Sequence, residues 1–223
     1  MNDKKINGLI VFAKYPEQGK VKTRLAEGIG NNKATQFYKL CAENLFDQAA
    51  NISFTHTYLF FDPSSTKEKM KEWIKFDFEY NPQNNSDLGK RMSEAFKTLF
   101  DKGFKKAVIV GTDVPDMNKI IIEQTFDLLD KYDLVISPSP DGGYNLLGMK
   151  KLNLNLFENI EWSSSSVLSK TVDAAKKQNL TIKLLDQLID IDTEKELLEW
   201  LATSKIGNLR LKNELKKILI SKD

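Results

Sequence analysis

Short apolar runs alternate with amphipathic segments from residue 6 almost to the end, and this alternation constrains the fold more than any other feature of the chain. INGLIVFA at 6 to 13, THTYLFF at 55 to 61, FDFEY at 76 to 80, AVIVG at 107 to 111, DLVIS at 133 to 137, YNLLGM at 144 to 149 and a run at 181 to 185 read as strands. Between them, residues 33 to 50, KEKMKEWI (67 to 74), 87 to 102, 118 to 131, about 163 to 178 and the stretch after 193 read as helices. Such alternation implies βαβ units, right-handed crossovers and a largely parallel sheet covered on both faces. DLVIS and YNLLGM are joined without a helix, which leaves room for one antiparallel strand there. At 223 residues the expectation is one α/β domain over 1–223, with C-terminal helices from about residue 193 packing on it.

The chain has one Cys and one His. A Cys/His zinc site needs three or four such ligands and a disulfide needs two thiols, so Cys41 and His56 can build neither within one chain. Cys41 falls on the apolar face of the helix that carries Phe37, Leu40, Leu45 and Phe46, as a small packed hydrophobe does. His56 starts a strand with no Ser or Cys nucleophile near it in sequence, which gives it a surface or edge role. Any catalysis therefore falls to carboxylates, Lys, Arg, hydroxyls and a metal bound through oxygen.

Lys plus Arg number 33 against 31 Asp plus Glu, a formal net charge of +2, so the broad basic face usual for nucleic-acid binding is not expected. With 41% hydrophobic and 29% charged residues the chain can fill a core and lacks the bias of a disordered segment. No run is long enough to span a bilayer, and the opening apolar run is too short for a secretory signal, so a cytoplasmic location is expected. The four serines from Ser163 to Ser166 read as a helix start with Ser163 as N-cap. The basic stretch from Lys205 to Lys222 sets Leu211, Leu215, Ile218 and Leu219 on one face, the pattern of a packed helix rather than a membrane anchor.

Three loops should meet at the carboxyl edge of the sheet, where open α/β folds bind ligands. In KYPEQGKVKTR, Lys14, Lys20, Lys22 and Arg24 stand against Glu17 alone, around Pro16 and Gly19. Backbone N–H groups, flexible cations and a following helix N-terminus suit a phosphate, although a solvated basic loop has the same composition and Thr23 reads equally as a helix N-cap. Val21 precedes Lys22-Thr23, so this is no Walker-type loop. In GTDVPD, Asp113 can reach a divalent cation and equally can form a turn. In PSPDGGY, Gly142 and Gly143 permit close backbone approach and Asp141 can bind or deprotonate a hydroxyl, while a plain turn explains Asp-Gly-Gly as well. Arg91 in SDLGKRM can reach a phosphate, with Ser86 or Asp87 as the helix cap. Asp190 and Asp192 precede Thr193 and Glu196, which form a capping box.

These pieces in this order, namely FAKYPEQGKVKTRL, DLGKRM, GTDVP, SPDGGYNLLG, IEWSSSSVL and DIDTEKEL, resemble the nucleotide-diphospho-sugar transferase superfamily with its glycosyltransferase A-type fold. Within it the chain is similar to a bacterial group of glycosyltransferase-like proteins, the selenodomain-associated transferases, related to molybdopterin and phospholactate nucleotidyltransferases. The resemblance implies a Rossmann-like three-layer sandwich with a mixed, mainly parallel central sheet. It also implies that Lys14, Gly19, Lys22 and Arg24 surround a nucleotide phosphate, that Asp113 holds Mg2+ or Mn2+, and that Asp192 makes a second metal contact. A lone Asp in GTDVP stands where many sugar transferases carry an Asp-x-Asp pair, and Glu194 and Glu196 replace the usual Pro and Asp after Asp192-Thr193.

The candidate site thus has Asp113, Asp141 and Lys22 as catalytic groups, Lys14, Gly19, Lys22, Thr23, Arg24, Asp87, Arg91, Gly142 and Gly143 around the nucleotide, and Asp113 with Asp192 at the metal. The leading expectation is a metal-dependent transferase acting on a nucleotide sugar and a small-molecule acceptor. The alternatives are a nucleotidyltransferase that releases pyrophosphate from an NTP and a non-catalytic nucleotide-binding module. No nucleic-acid partner and no membrane span are expected, and the sequence leaves the oligomeric state open.

Overall fold

In the computed structural model, which describes residues 7–203 and 209–220, seven strands form one mixed sheet in the order β3-β2-β1-β4-β6-β5-β7. The strands are β1 (Asn7–Ala13), β2 (Thr55–Phe61), β3 (Glu79–Pro82), β4 (Lys106–Gly111), β5 (Leu134–Pro138), β6 (Tyr144–Met149) and β7 (Ile182–Leu184). The helices are α1 (Thr23–Ile29), α2 (Asn31–Ala50), α3 (Lys67–Ile74), α4 (Leu88–Asp101), α5 (Lys119–Leu128), α6 (Val167–Lys177), α7 (Glu194–Thr203) and α8 (Leu209–Ile220), with a 3₁₀ turn at Leu154–Phe157. β6 alone runs antiparallel, between β4 and β5, because the Asp-Gly-Gly connection after β5 is too short for a crossover.

Period-two alternation divides the core. Leu9, Val11, Leu59, Phe61, Val108, Val110, Val135 and Leu146 face a cluster that includes Leu45 and Phe46 of α2, Met70 of α3 and Phe126 of α5. Ile10, Tyr58, Phe60, Ile109, Ile136 and Leu147 face the opposite cluster, with Met92 and Phe96 of α4 and Ala175 of α6. Both faces of the sheet are covered, which is why its strands read as continuous apolar runs. A third cluster joins Leu25 of α1, Phe37 and Cys41 of α2, Leu197 and Trp200 of α7, and Leu211 and Leu215 of α8, with Ile218 and Leu219 packed against it. The C-terminal pair packs on α1 and α2 through this cluster, α8 with the apolar face read in the sequence.

Register sets the site. Ala13 pairs with Phe61, and Phe12 with Gly111, so the carboxyl ends of β1, β2 and β4 lie level. The antiparallel β6 begins on that same edge with Tyr144 and Asn145.

Several local expectations are corrected. The third strand lies at 79–82 rather than 76–80, because Lys75 closes α3 in the left-handed region (φ 57°) and Phe76 and Phe78 turn back to stack their rings 5.5 Å apart. Ser163 is not the N-cap of α6. It has φ 64°, Ser164 donates its hydroxyl to the Glu161 carbonyl at 2.7 Å, and the helix begins after Ser166. Thr23 is the first residue of α1, with Lys22 preceding it as an N-cap whose side chain caps nothing. Ile6 of the first strand, and residues 205–208 and 221–222 of the C-terminal basic stretch, lie outside the described residues. Among the described residues no helix is long and apolar enough to cross a membrane.

Candidate active site

The loops after β1, β3 and β4, the start of β6 and the segment before α7 surround a cleft of about 480 Å3 at the level strand ends. Lys22 is its hinge. The chain turns through the left-handed region at Lys22 (φ 47°, ψ 46°) to start α1, which folds the side chain inward. That side chain is only 3% exposed, with Nζ 2.8 Å from Asp192 Oδ1 and 3.4 Å from Asp113 Oδ2. Burial alone would pull the ammonium pKa down, but the charges of Asp113, Asp192 and Asp190 outweigh it and the net shift is upward, so Lys22 stays protonated. Asp190 moves the other way. Burial, then the nearby Asp192 and Asp113, push its carboxyl up to about 6 against the pull of Lys22.

The positions of these groups are built in. Tyr38 of α2 is buried under the first loop, where its hydroxyl accepts the Lys14 N–H (2.8 Å), donates to the Lys14 carbonyl (3.0 Å) and lies 2.9 Å from Thr112 Oγ1. One phenol thus ties the β1 loop to the β4 loop, and its burial raises its pKa well above the usual tyrosine value. The expected capping box of α7 forms, with Glu196 Oε2 accepting the N–H groups of Thr193 (2.8 Å) and Asp192 (2.9 Å). It fixes the backbone that presents Asp192. Asn145 of β6 donates to the Leu188 carbonyl at 2.7 Å and anchors the strap leading to Asp190.

Of the residues singled out in the sequence, Lys14, Lys22, Thr23, Arg24, Arg91, Asp113 and Asp192 line the cleft, while Gly19, Asp87, Asp141, Gly142 and Gly143 are outside its lining. Asp87 caps α4 by accepting the Lys90 N–H at 2.9 Å. Asp141 turns back on its own loop, accepting the Gly143 N–H at 2.9 Å and the Ser139 hydroxyl. Gly142 has φ 89°, and a Cβ there would lie 2.1 Å from the Ser165 carbonyl oxygen, so the second Gly-rich loop packs on the serine run. Gly19 has φ 76° and lets the first loop turn.

Tyr38, Gln83 and Asn145 also belong to the cleft and escaped sequence reading. Gln83 would have stood out at a strand end had β3 been placed at 79–82. Asp190 was legible only as part of a helix-start motif.

The donor set fits a hard cation. Among the described residues no group of three or more His, Cys, Asp or Glu side chains could hold a metal ion unaided. Asp113 and Asp192 nevertheless converge on Lys22 from two loops, with side chains 45% and 39% exposed. Two carboxylates, with substrate phosphates and water completing the shell, are what Mg2+ or Mn2+ accepts.

The chain is similar to proteins named as nucleotide-dependent transferases. It is 35% identical over 113 residues to the 2-phospho-L-lactate guanylyltransferase of Methanocaldococcus jannaschii, a match that takes in 49% of this chain and 47% of that one. A second such guanylyltransferase, from Methanobrevibacter smithii, is 25% identical over 203 residues, 86% of this chain and 82% of the relative. The chain spans about half the length of most of these curated relatives. In structure it is similar to a protein of Desulfovibrio desulfuricans G20 described as a nucleotide-diphospho-sugar transferase, with TM-score 0.86, 29% identity and coverage of 98% of this chain and 97% of the other. The family model described as "Uncharacterized protein conserved in bacteria (DUF2064)" matches residues 45–164. The chain therefore belongs to the DUF2064 family, and its mixed, mainly parallel sheet is that of the nucleotide-diphospho-sugar transferase superfamily.

Proposed function

We propose that this protein is a nucleotidyltransferase, in which an acidic small-molecule acceptor, most simply a phosphate monoester, attacks the α-phosphate of an NTP and pyrophosphate leaves. The observation that carries the reading is the convergence of Lys14, Lys20, Lys22, Arg24 and three aspartates in one cleft. The guanylyltransferase relatives favour it over sugar transfer, the leading expectation from the sequence.

In the transfer, a P–O bond forms between the acceptor oxygen and the α-phosphorus, and the bond from that phosphorus to the bridging oxygen breaks. The leaving pyrophosphate takes the electron pair. Lys22, kept charged by its carboxylates, with Lys14, Lys20 and Arg24, stabilises the negative charge that builds on the phosphate oxygens, the electrostatic term that dominates such reactions. Mg2+ or Mn2+, held by Asp113 and Asp192, would supply further stabilisation of that charge. A phosphate acceptor is already ionised at neutral pH and needs no side-chain base. Asp141, engaged in its own turn, is then not required as one.

The test is pyrophosphate release from each of the four NTPs, with Mg2+ or Mn2+, against a panel of phosphorylated hydroxy acids that begins with 2-phospho-L-lactate. Pyrophosphate formed in step with a nucleotidylated acceptor supports the reading. The similarity to the Desulfovibrio protein favours a second reading, sugar transfer, which releases a nucleoside diphosphate from a nucleotide sugar instead.

A further inference from the structure

We infer that Arg91, oriented by Gln83, reads the base of the nucleotide and selects a 6-oxopurine such as guanine through the adjacent acceptors O6 and N7. This rests on the nucleotidyl-transfer reading above. The cleft straddles the end of the sheet, with apolar lining from both faces and its lysines and aspartates on one of them. Phe12, Leu88, Met92, Ile109, Tyr144 and Leu147 line it on the α4 and α6 side and all belong to one apolar cluster. The first-loop lysines and the aspartates are contributed by loops leading to α1, α5 and α7.

Arg91 comes from α4, the helix that also supplies Leu88 and Met92. Gln83 holds it. The Gln83 N–H donates to the Phe61 carbonyl and its Nε2 to the Phe60 carbonyl, both at 2.8 Å, which leaves Oε1 to accept from Arg91 Nη1 at 3.0 Å. The amide, turned this way by Phe60, holds Arg91 Nη1 before any ligand arrives. Arg91 Nε is buried with no hydrogen-bond partner in the chain.

An apolar slot with a fixed planar donor fork fits a flat heterocycle that offers two acceptors side by side. Guanine offers O6 and N7 in that relation, the pair Arg reads bidentately. Adenine places an N6 donor where O6 would be, so donor meets donor.

Isothermal titration of the full chain with GTP, ITP, 7-deaza-GTP, ATP and CTP in Mg2+ tests this. GTP and ITP should bind alike, with ATP and 7-deaza-GTP weaker on the order of tenfold or more. In Arg91→Met, GTP should fall to the level of ATP, with GTP losing at least tenfold more affinity than ATP. An equal loss for all triphosphates in that variant, wild-type indifference to N7, or tighter binding of ATP or CTP than of GTP would overturn the proposal. The 7-deaza comparison needs only the wild-type chain, so it decides even where the variant fails to fold. Failure of every triphosphate to bind overturns the transfer reading as well, whereas binding without guanine preference overturns this proposal alone.

Discussion

Lys22 joins the charges of the cleft at one side chain: a buried ammonium in a left-handed turn, facing three carboxylates contributed by two loops far away in sequence. Asp113 is the partner best placed to separate function from stability, because it is 45% exposed and its removal leaves Asp192 on Lys22. Asp113→Asn should lower turnover on the order of 100-fold or more, with thermal unfolding moved by no more than about 3 °C. Turnover within twofold of wild type would remove Asp113 from the site. Gly142 makes the opposite kind of prediction. Its carbonyl accepts the Leu168 N–H at 2.9 Å at the start of α6, and its φ of 89° and closeness to Ser165 leave no room for a methyl group. Gly142→Ala should cost about 3 kcal/mol of stability by urea unfolding, and a loss under about 1 kcal/mol would show that the loop yields. Lys22, Arg24 and Asp113 were legible because each follows a strong strand within a loop of biased composition. Tyr38 was not, since its contacts reach 24 and 74 residues along the chain from a helix position that looks like ordinary core.

At the scale of elements, strands with unbroken apolar runs were readable almost to the residue, as β2, β4 and β6 were, because burial on both faces leaves no competing pattern. β3 was not, because FDFEY alternates as well as the true strand does and the left-handed close of α3 at Lys75 gives no compositional sign. α1 escaped because its seven residues carry one buried side chain, Leu25, too few to show a period. The far edge of the sheet offers a pH test. Asp133 at the foot of β5 accepts the Thr181 N–H (2.8 Å) and hydroxyl (2.6 Å) ahead of β7, and Lys150 Nζ lies 3.1 Å away. The Thr181 hydrogen bonds, then Lys150, hold the Asp133 carboxyl below its ordinary value. A depressed carboxyl stabilises the fold above the unfolded-state value of about 4 and loses that contribution as pH falls through the folded-state value. Asp133→Asn should therefore be less stable than wild type by about 1 kcal/mol near neutrality, with the gap closing below about pH 4. A gap independent of pH down to acid unfolding would show that the charge of Asp133 is not what joins these strands.

Across the whole molecule, the formal charge of +2 is the remainder of a local separation: a cation-rich first loop set against aspartates that the sheet register and the C-terminal helices bring to it. The C-terminal helices do more than cover α2. Trp200 of α7 donates its indole N–H to Asp116 at 2.8 Å, three residues beyond Asp113, so the segment carrying Asp190 and Asp192 and the loop carrying Asp113 are fastened to each other. Of the three loops read as converging, those after β1 and β4 line the cleft, while the Asp-Gly-Gly loop reaches it only through Tyr144 where β6 begins. The choice between two chemistries that share a cation-rich loop and an oxygen-ligated metal was not legible in the sequence, because both act on the same diphosphate charge and differ in which bond breaks. Product analysis reads that bond directly. With wild-type chain, Mg2+, GTP and a phosphorylated hydroxy acid, the expected result is one pyrophosphate released per nucleotidylated acceptor formed. Release of a nucleoside diphosphate from a nucleotide sugar, with no pyrophosphate from any triphosphate, would contradict the account.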